Sequence, residues 1–143
     1  MKLKINDNIP DVEVFQLINN EPEITKIKKI FKDKKTILLG MPGAFTSICS
    51  AKHLPGYVNN IQKFKSKGID LIACIAVNDP FVMSAWAKHN NVHDAILMLG
   101  DPFLTFTKEV ILPQGASILR TLSPSFMSTQ FILMANVEIA IIA

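Results

Sequence analysis

Two short apolar runs, one on each side of a single helix-length segment, constrain this chain more than any other feature. Lys35-Thr36-Ile37-Leu38-Leu39-Gly40-Met41 is the first, and Ile69-Asp70-Leu71-Ile72-Ala73-Cys74-Ile75-Ala76-Val77 is the second. Runs this apolar suit strands that are covered on both faces, as in a parallel sheet. Pro42-Gly43 ends the first run sharply. The stretch from Ser47 to about Phe64 then reads as a helix. Strand, turn, helix and strand in that order make a βαβ unit, so the expected class is α/β.

The rest of the chain extends this layout. Val12 to Leu17 is an expected strand, and Ile24 to Phe31 reads as a weakly ordered connection. Asp79-Pro80 opens a helix, with Asp79 as N-cap and Pro80 in the first helical position. On that helix Phe81, Ala85 and His89 share one face, and Trp86 sits beside Val82 on another. Ala95 to Leu99 is a further strand, Pro102 to Glu109 a short helix, and the apolar tail from Phe131 to Ala143 one or two strands. No repeat or linker divides the chain, so 1–143 is read as one domain, of a length that supports a core without disulfides or metals.

The chemistry centres on Cys49. A helix start there leaves unpaired backbone N–H groups and the positive end of the helix dipole facing the sulfur. A cysteine titrates at about 8.5, and a helix N-terminus or a nearby cation lowers that to about 3.5–7.5. Cys49 is therefore a candidate nucleophile, against the bland alternative of a small buried hydrophobe. Thr46, three residues earlier, serves either as an N-cap or as a hydrogen-bond donor to the thiolate or to a bound oxygen. Pro42 is either a strand terminator or a rigid apolar wall beside the sulfur. His53, four residues after Cys49, lies on the same helical face and invites reading as a base. Cys74 lies inside the second apolar run and reads as core. Without a Cys-x-x-Cys motif, a thiol-disulfide oxidoreductase is disfavoured.

The pattern Pro-x-x-x-Thr-x-x-Cys, met here as Pro42, Thr46 and Cys49, resembles the active-site signature of the peroxiredoxins, thiol peroxidases with a thioredoxin-like fold. The longer string from Pro42 to Val58 is similar to the atypical two-cysteine, plant type II-like subfamily. Ala73 to Met83 with Trp86, and Leu99-Gly100-Asp101-Pro102 with Phe106, Lys108 and Glu109, continue the likeness over roughly residues 1 to 110. The resemblance implies a thioredoxin-like α/β fold, a central mixed β-sheet flanked by helices. It implies reduction of hydrogen peroxide and alkyl hydroperoxides by Cys49, through a sulfenic acid that an external thiol returns to the reduced state. Glutathione with glutaredoxin, or thioredoxin, is the expected reductant. Catalytic roles fall on Cys49, Thr46 and Pro42, and Gly43, Phe45 and His53 line the substrate side, with His53 packing near the site rather than accepting the proton. No cofactor and no metal are implied. A homodimer formed through the loops around the site, with contributions from Phe45, Pro80, Phe81 and Phe103, also follows from the resemblance.

The C-terminal part departs from that pattern. Family members carry an arginine just before a late strand, and aligning Phe131-Ile132-Leu133-Met134 to that strand puts Gln130 at its place. Arg120 is the one arginine available, against fourteen lysines, and is the candidate catalytic cation; its alternative is an ordinary surface charge. The expected glycine turn and closing helix are also missing after Val110. This keeps a second reading open, a redox-sensing or binding protein of thioredoxin fold with weakened turnover. In some subfamily members a cysteine nearer the C-terminus resolves the oxidised one; none follows Cys74 here, so a one-cysteine cycle is expected.

Other classes are excluded more simply. The net charge is +3 and the lysines are spread through Lys26 to Lys35 and Lys63 to Lys67, so electrostatics do not demand nucleic acid. His89-x-x-x-His93 has a metal-like spacing, but the Asn90-Asn91 pair between them predicts that the helix has stopped. No run approaches the roughly 20 apolar residues of a membrane span. The first seven residues read as neither secretory signal nor organelle presequence, so the expected compartment is the cytoplasm.

Overall fold

The structure is a computed structural model that describes residues 8–41, 43–45 and 54–110, together with the backbone of 130–135 and 139–142. Among these residues a seven-stranded mixed sheet runs in the order β2-β1-β5-β4-β3-β6-β7. Its strands are β1 (Glu13–Ile18), β2 (Glu21–Lys26), β3 (Thr36–Met41), β4 (Leu71–Ala76), β5 (Leu97–Gly100), β6 (Gln130–Ala135) and β7 (Ile139–Ile142). The helices are α1 (Ile27–Phe31), α2 (Leu54–Asn59), α3 (Ile61–Ser66), α4 (Pro80–His89) and α5 (Thr105–Val110).

The centre of the sheet is the parallel trio expected from the apolar runs: β3 pairs with β4 from Thr36–Leu71 to Met41–Ala76, and β4 pairs with β5. Alternation along β3 and β4 then sorts the core into two layers. Ile37, Leu39, Met41, Ile72, Cys74 and Ala76 face Leu54, Ile61, Met83 and Trp86 of α2, α3 and α4. Leu38, Ala73 and Ile75 face the opposite way, toward Ile27, Phe31, Phe106 and Val110 of α1 and α5. Both faces of the sheet are thus covered by helices, as in the thioredoxin-like arrangement. The lysines of Lys26–Lys35 and Lys63–Lys67 are exposed, as solvated faces.

Two expectations are corrected. Ile24 to Phe31 is not a loose connection: it carries the end of β2 and all of α1. The missed signal is Asn19-Asn20, whose φ angles of 51° and 65° make a two-residue loop between the paired Ile18 and Glu21. Two central residues at positive φ match the right-handed twist of a hairpin, and asparagine tolerates that region. Pro22 and the charged residues hid β2 because it is an exposed edge strand, held by backbone pairing to β1. The second correction concerns the helix expected from Ser47 to Phe64. Its described part is two helices, broken at Asn60 (φ −109°, ψ 13°). The Asn60 side chain donates to the Gly56 carbonyl at 2.7 Å, closing the end of α2 by a local bond that competes with the helical ladder. Gly68, at φ 84°, then ends α3 and lets Ile69 N–H donate to the Phe64 carbonyl at 3.2 Å.

The remaining elements follow the sequence closely. Asp79 accepts from Val82 N–H at 2.9 Å as the N-cap of α4, and Pro80 occupies its first turn. The helix ends at His89, and Asn91 and His93 turn to φ 52° and 50°, so His89 and His93 are not on one continuous helix. The tail forms β6 and β7, with β6 antiparallel to β3.

Candidate active site

The expected site residues Pro42, Thr46, Cys49, His53 and Arg120 lie outside the described residues; Gly43 and Phe45 lie within them. What the structure shows is the frame that carries the loop. Because β3 and β4 are parallel, both run out at the same edge, where Met41 pairs with Ala76. The carboxyl ends of parallel strands are where open α/β sheets place their ligand sites, since the loops there are free of the sheet's hydrogen bonding.

Of the described loop residues, Ala44 is tied to the next strand connection. Gly43 is buried, and Ala44 packs against the core layer of α2–α4. Ala44 N–H donates to the Asn78 Oδ1 carbonyl at 2.8 Å, tying the loop after β3 to the turn after β4. Phe45 sits at φ 60°, the left-handed region that costs a bulky residue about 1 kcal/mol or more. Its ring is 51% exposed and lies 5.7 Å from the His89 imidazole at a 52° tilt. On the far side of the undescribed stretch, Leu54 is fully buried and Tyr57 stacks on Phe64, with ring centroids 5.8 Å apart. Packed residues, Gly43 and Ala44 on one side and Leu54 on the other, therefore bracket the stretch of sequence that contains Cys49.

Asn78, His89 and Gly100 were not singled out by sequence reasoning as site residues. A Cβ on Gly100 would lie 2.6 Å from the Asn78 carbonyl oxygen, so glycine is what lets the turn after β4 settle on β5. No sequence signal marks the Asn78 contact, because its partner is a backbone N–H 34 residues away. Cys74 is 0% exposed within β4, paired with Leu39 on one side and Met98 on the other, as its apolar run predicts. Of the residues expected at a subunit contact, Phe45, Phe81 and Phe103 are exposed, but Pro80 is buried. The reason is its place in the first turn of α4, pressed toward Gly100. The β6 register puts Phe131 opposite Gly40, so Gln130, one residue earlier, begins its strand at the edge from which the loop emerges.

A groove of about 420 Å³ opens elsewhere, where β1 and β5 pair only at Phe15–Gly100 and then diverge. Gln16, Ser84, His93 and Asp94 are among its walls, whereas Gly43, Ala44 and Phe45 are not.

Comparison with known proteins decides the family. The Redoxin family pattern matches residues 4–133. The chain is 40% identical over 122 residues to peroxiredoxin Pen c 3 of Penicillium citrinum, covering 77% of this chain and 73% of that protein. It is 44% identical over 100 residues to the mitochondrial peroxiredoxin-2F of Arabidopsis thaliana, covering 70% of this chain and 50% of the relative. This chain belongs to the peroxiredoxins. Within them it is type II-like, in keeping with its plant relatives, although it spans only about half the length of peroxiredoxin-2F. Peroxiredoxins are thiol peroxidases, and the fold agrees: reduced Prx3 of Vibrio vulnificus, solved in complex with hydrogen peroxide, superposes with a TM-score of 0.82. The identity is 32%, over 99% of this peroxiredoxin and 89% of that chain. Among the described residues no helix is long and apolar enough to cross a membrane.

Proposed function

We propose that this peroxiredoxin reduces hydrogen peroxide and small alkyl hydroperoxides through Cys49. The observation that carries the reading is the loop after β3. Its described part, Gly43 to Phe45, is pinned at the carboxyl ends of the parallel strands, and its sequence runs Pro42-x-x-x-Thr46-x-x-Cys49. In the proposed step the Cys49 thiolate attacks one peroxide oxygen and the O–O bond breaks. The second oxygen leaves with the electron pair and takes a proton to become water or an alcohol. Cys49 is left as the sulfenic acid. Charge moves from sulfur to the leaving oxygen, so donors fixed in advance lower the barrier. Thr46, the Cys49 backbone N–H and the Arg120 guanidinium are the proposed donors.

Reduction is assigned to an external thiol, glutathione with glutaredoxin or thioredoxin. One thiol displaces water from the sulfenic acid to form a mixed disulfide, and a second releases Cys49. The full burial of Cys74 within β4, beneath the helices that pack on that face of the sheet, supports this one-cysteine cycle. A homodimer is proposed to cover the exposed Phe45 and Phe81.

The test is stopped-flow peroxide consumption by the whole chain with either reductant, with mass spectrometry of dimedone-trapped protein. The expected result is sustained turnover, a dimedone adduct on Cys49, and loss of both in Cys49→Ser. Sustained turnover in Cys49→Ser overturns the assignment. Stoichiometric oxidation without turnover under every thiol donor makes the protein a redox sensor instead.

A further inference from the structure

We propose that Asn78 is a positioning residue for the peroxide-reducing loop, held in place by the close approach of Gly100; the proposal rests on Cys49 being the reacting thiol. The loop after β3 has a left-handed residue, Phe45, and an exposed aromatic ring, neither of which holds its own backbone in place. A side-chain anchor for it is the Ala44 N–H donating to Asn78 Oδ1 at 2.8 Å. Ala44 is five residues before Cys49, so this bond fixes the last stretch of described backbone ahead of the proposed reacting thiol.

Asn78 can serve as a post because its own turn is immobilised from three sides. Before it, β4 is paired along both edges, and Asp101 N–H donates to the Ala76 carbonyl at 2.9 Å. After it, Asp79 caps α4 by accepting from Val82 N–H at 2.9 Å, and Met83 N–H donates to the Asp79 carbonyl at 3.1 Å. Beneath it, Gly100 leaves room for the Asn78 carbonyl where any Cβ would stand 2.6 Å away. A side chain on Gly100 must therefore displace the turn, and with it the acceptor that Ala44 uses. Reactive geometry is unforgiving: a misplacement of about 1 Å can cost on the order of 100-fold in rate.

The test compares Asn78→Ala, Asn78→Asp and Gly100→Ala in the full chain by three readouts. These are the stopped-flow rate of Cys49 oxidation by hydrogen peroxide, the pH midpoint of the Cys49 thiolate, and hydrogen exchange of the peptide containing Ala44. Asn78→Ala is expected to slow oxidation by about tenfold or more, raise the thiolate midpoint and expose the Ala44 amide to exchange. Asn78→Asp keeps an acceptor at the same reach and is expected to retain Ala44 protection and recover most of the rate. Gly100→Ala is expected to act through Asn78, so that adding it to Asn78→Ala slows oxidation little further. A wild-type rate and midpoint in Asn78→Ala overturn the proposal, as does a fully additive double variant. Should Asn78→Ala fail to fold, Gly100→Ala with unchanged rate and unchanged Ala44 exchange overturns it alone. If wild-type Cys49 is not oxidised at all, the peroxidase reading is what fails, and Ala44 exchange still decides whether Asn78 anchors the loop.

Discussion

Tyr57 shows how one side chain near the loop couples burial to pH. It packs half-buried against the core layer and stacks on Phe64, and burial raises its phenol above the usual value of about 10. Desolvation penalises the phenolate, so the folded state holds the proton more tightly than the unfolded chain. Its contribution is therefore complete below the unfolded value of about 10 and is lost as pH rises through the higher folded value. Urea titrations on either side of pH ~10 should show the wild type losing more stability on the alkaline side than Tyr57→Phe. Equal losses in the two proteins would mean the phenolate is solvated in the folded state. Asp101 acts through hydrogen bonds that set an element boundary. Its buried carboxylate accepts from Phe106 N–H, Thr107 N–H and the Thr107 hydroxyl at 3.1, 2.8 and 2.7 Å, and so starts α5 where β5 ends. Residues such as Tyr57 and Asp101 are visible in sequence only as types. Their roles come from neighbours that the fold supplies.

Among the elements, α4 links core to site. One face sets Met83, Trp86 and Ala87 into the core, and the other leaves Phe81, Ala85 and His89 exposed, the face that i, i+4 spacing assigns to them. Its start is legible because Asp79-Pro80 combines an N-cap with a residue that has no N–H to leave unpaired. Asp79→Ala should cost about 1 kcal/mol of stability by denaturant unfolding, with peroxide turnover reduced less than by Asn78→Ala. A loss well below ~0.5 kcal/mol would show the cap to be redundant with the packing of Trp86. The β1–β2 hairpin and the break at Asn60 leave no clear mark in the sequence for a common reason. Both depend on polar residues whose side chains or positive φ angles act locally, while the hydrophobic periodicity on which element boundaries rest is blind to them.

At the scale of the whole molecule, the sheet brings together loops that are distant in sequence and leaves apolar side chains around them exposed. Phe45 and Phe81 are 51% and 54% exposed and belong to the loop after β3 and to the first turn of α4. Phe103, 71% exposed, packs edge-on against Phe15 with centroids 5.8 Å apart. If Phe45 and Phe81 form the proposed dimer contact, Phe81→Asp should weaken self-association at least about tenfold in sedimentation velocity. A monomeric wild type at micromolar concentration, or an unaffected variant, rejects that contact.

The sequence by itself determined the α/β class, the parallel pair β3 and β4, the two-sided burial of Cys74 and the edge from which the loop leaves. Each of these follows from local periodicity and from the chain order of strand, turn, helix and strand. The same local reading picked out Cys49, because a bent loop entering a helix is a pattern of neighbours in sequence. Only the tertiary structure decided that Ala44 hangs from Asn78, that Gly100 must lack a side chain for that turn to fit, and that Pro80 is withdrawn from the surface. These are contacts between segments 20 or more residues apart, where one hydrogen bond or one missing Cβ leaves no periodic trace in the residues on either side.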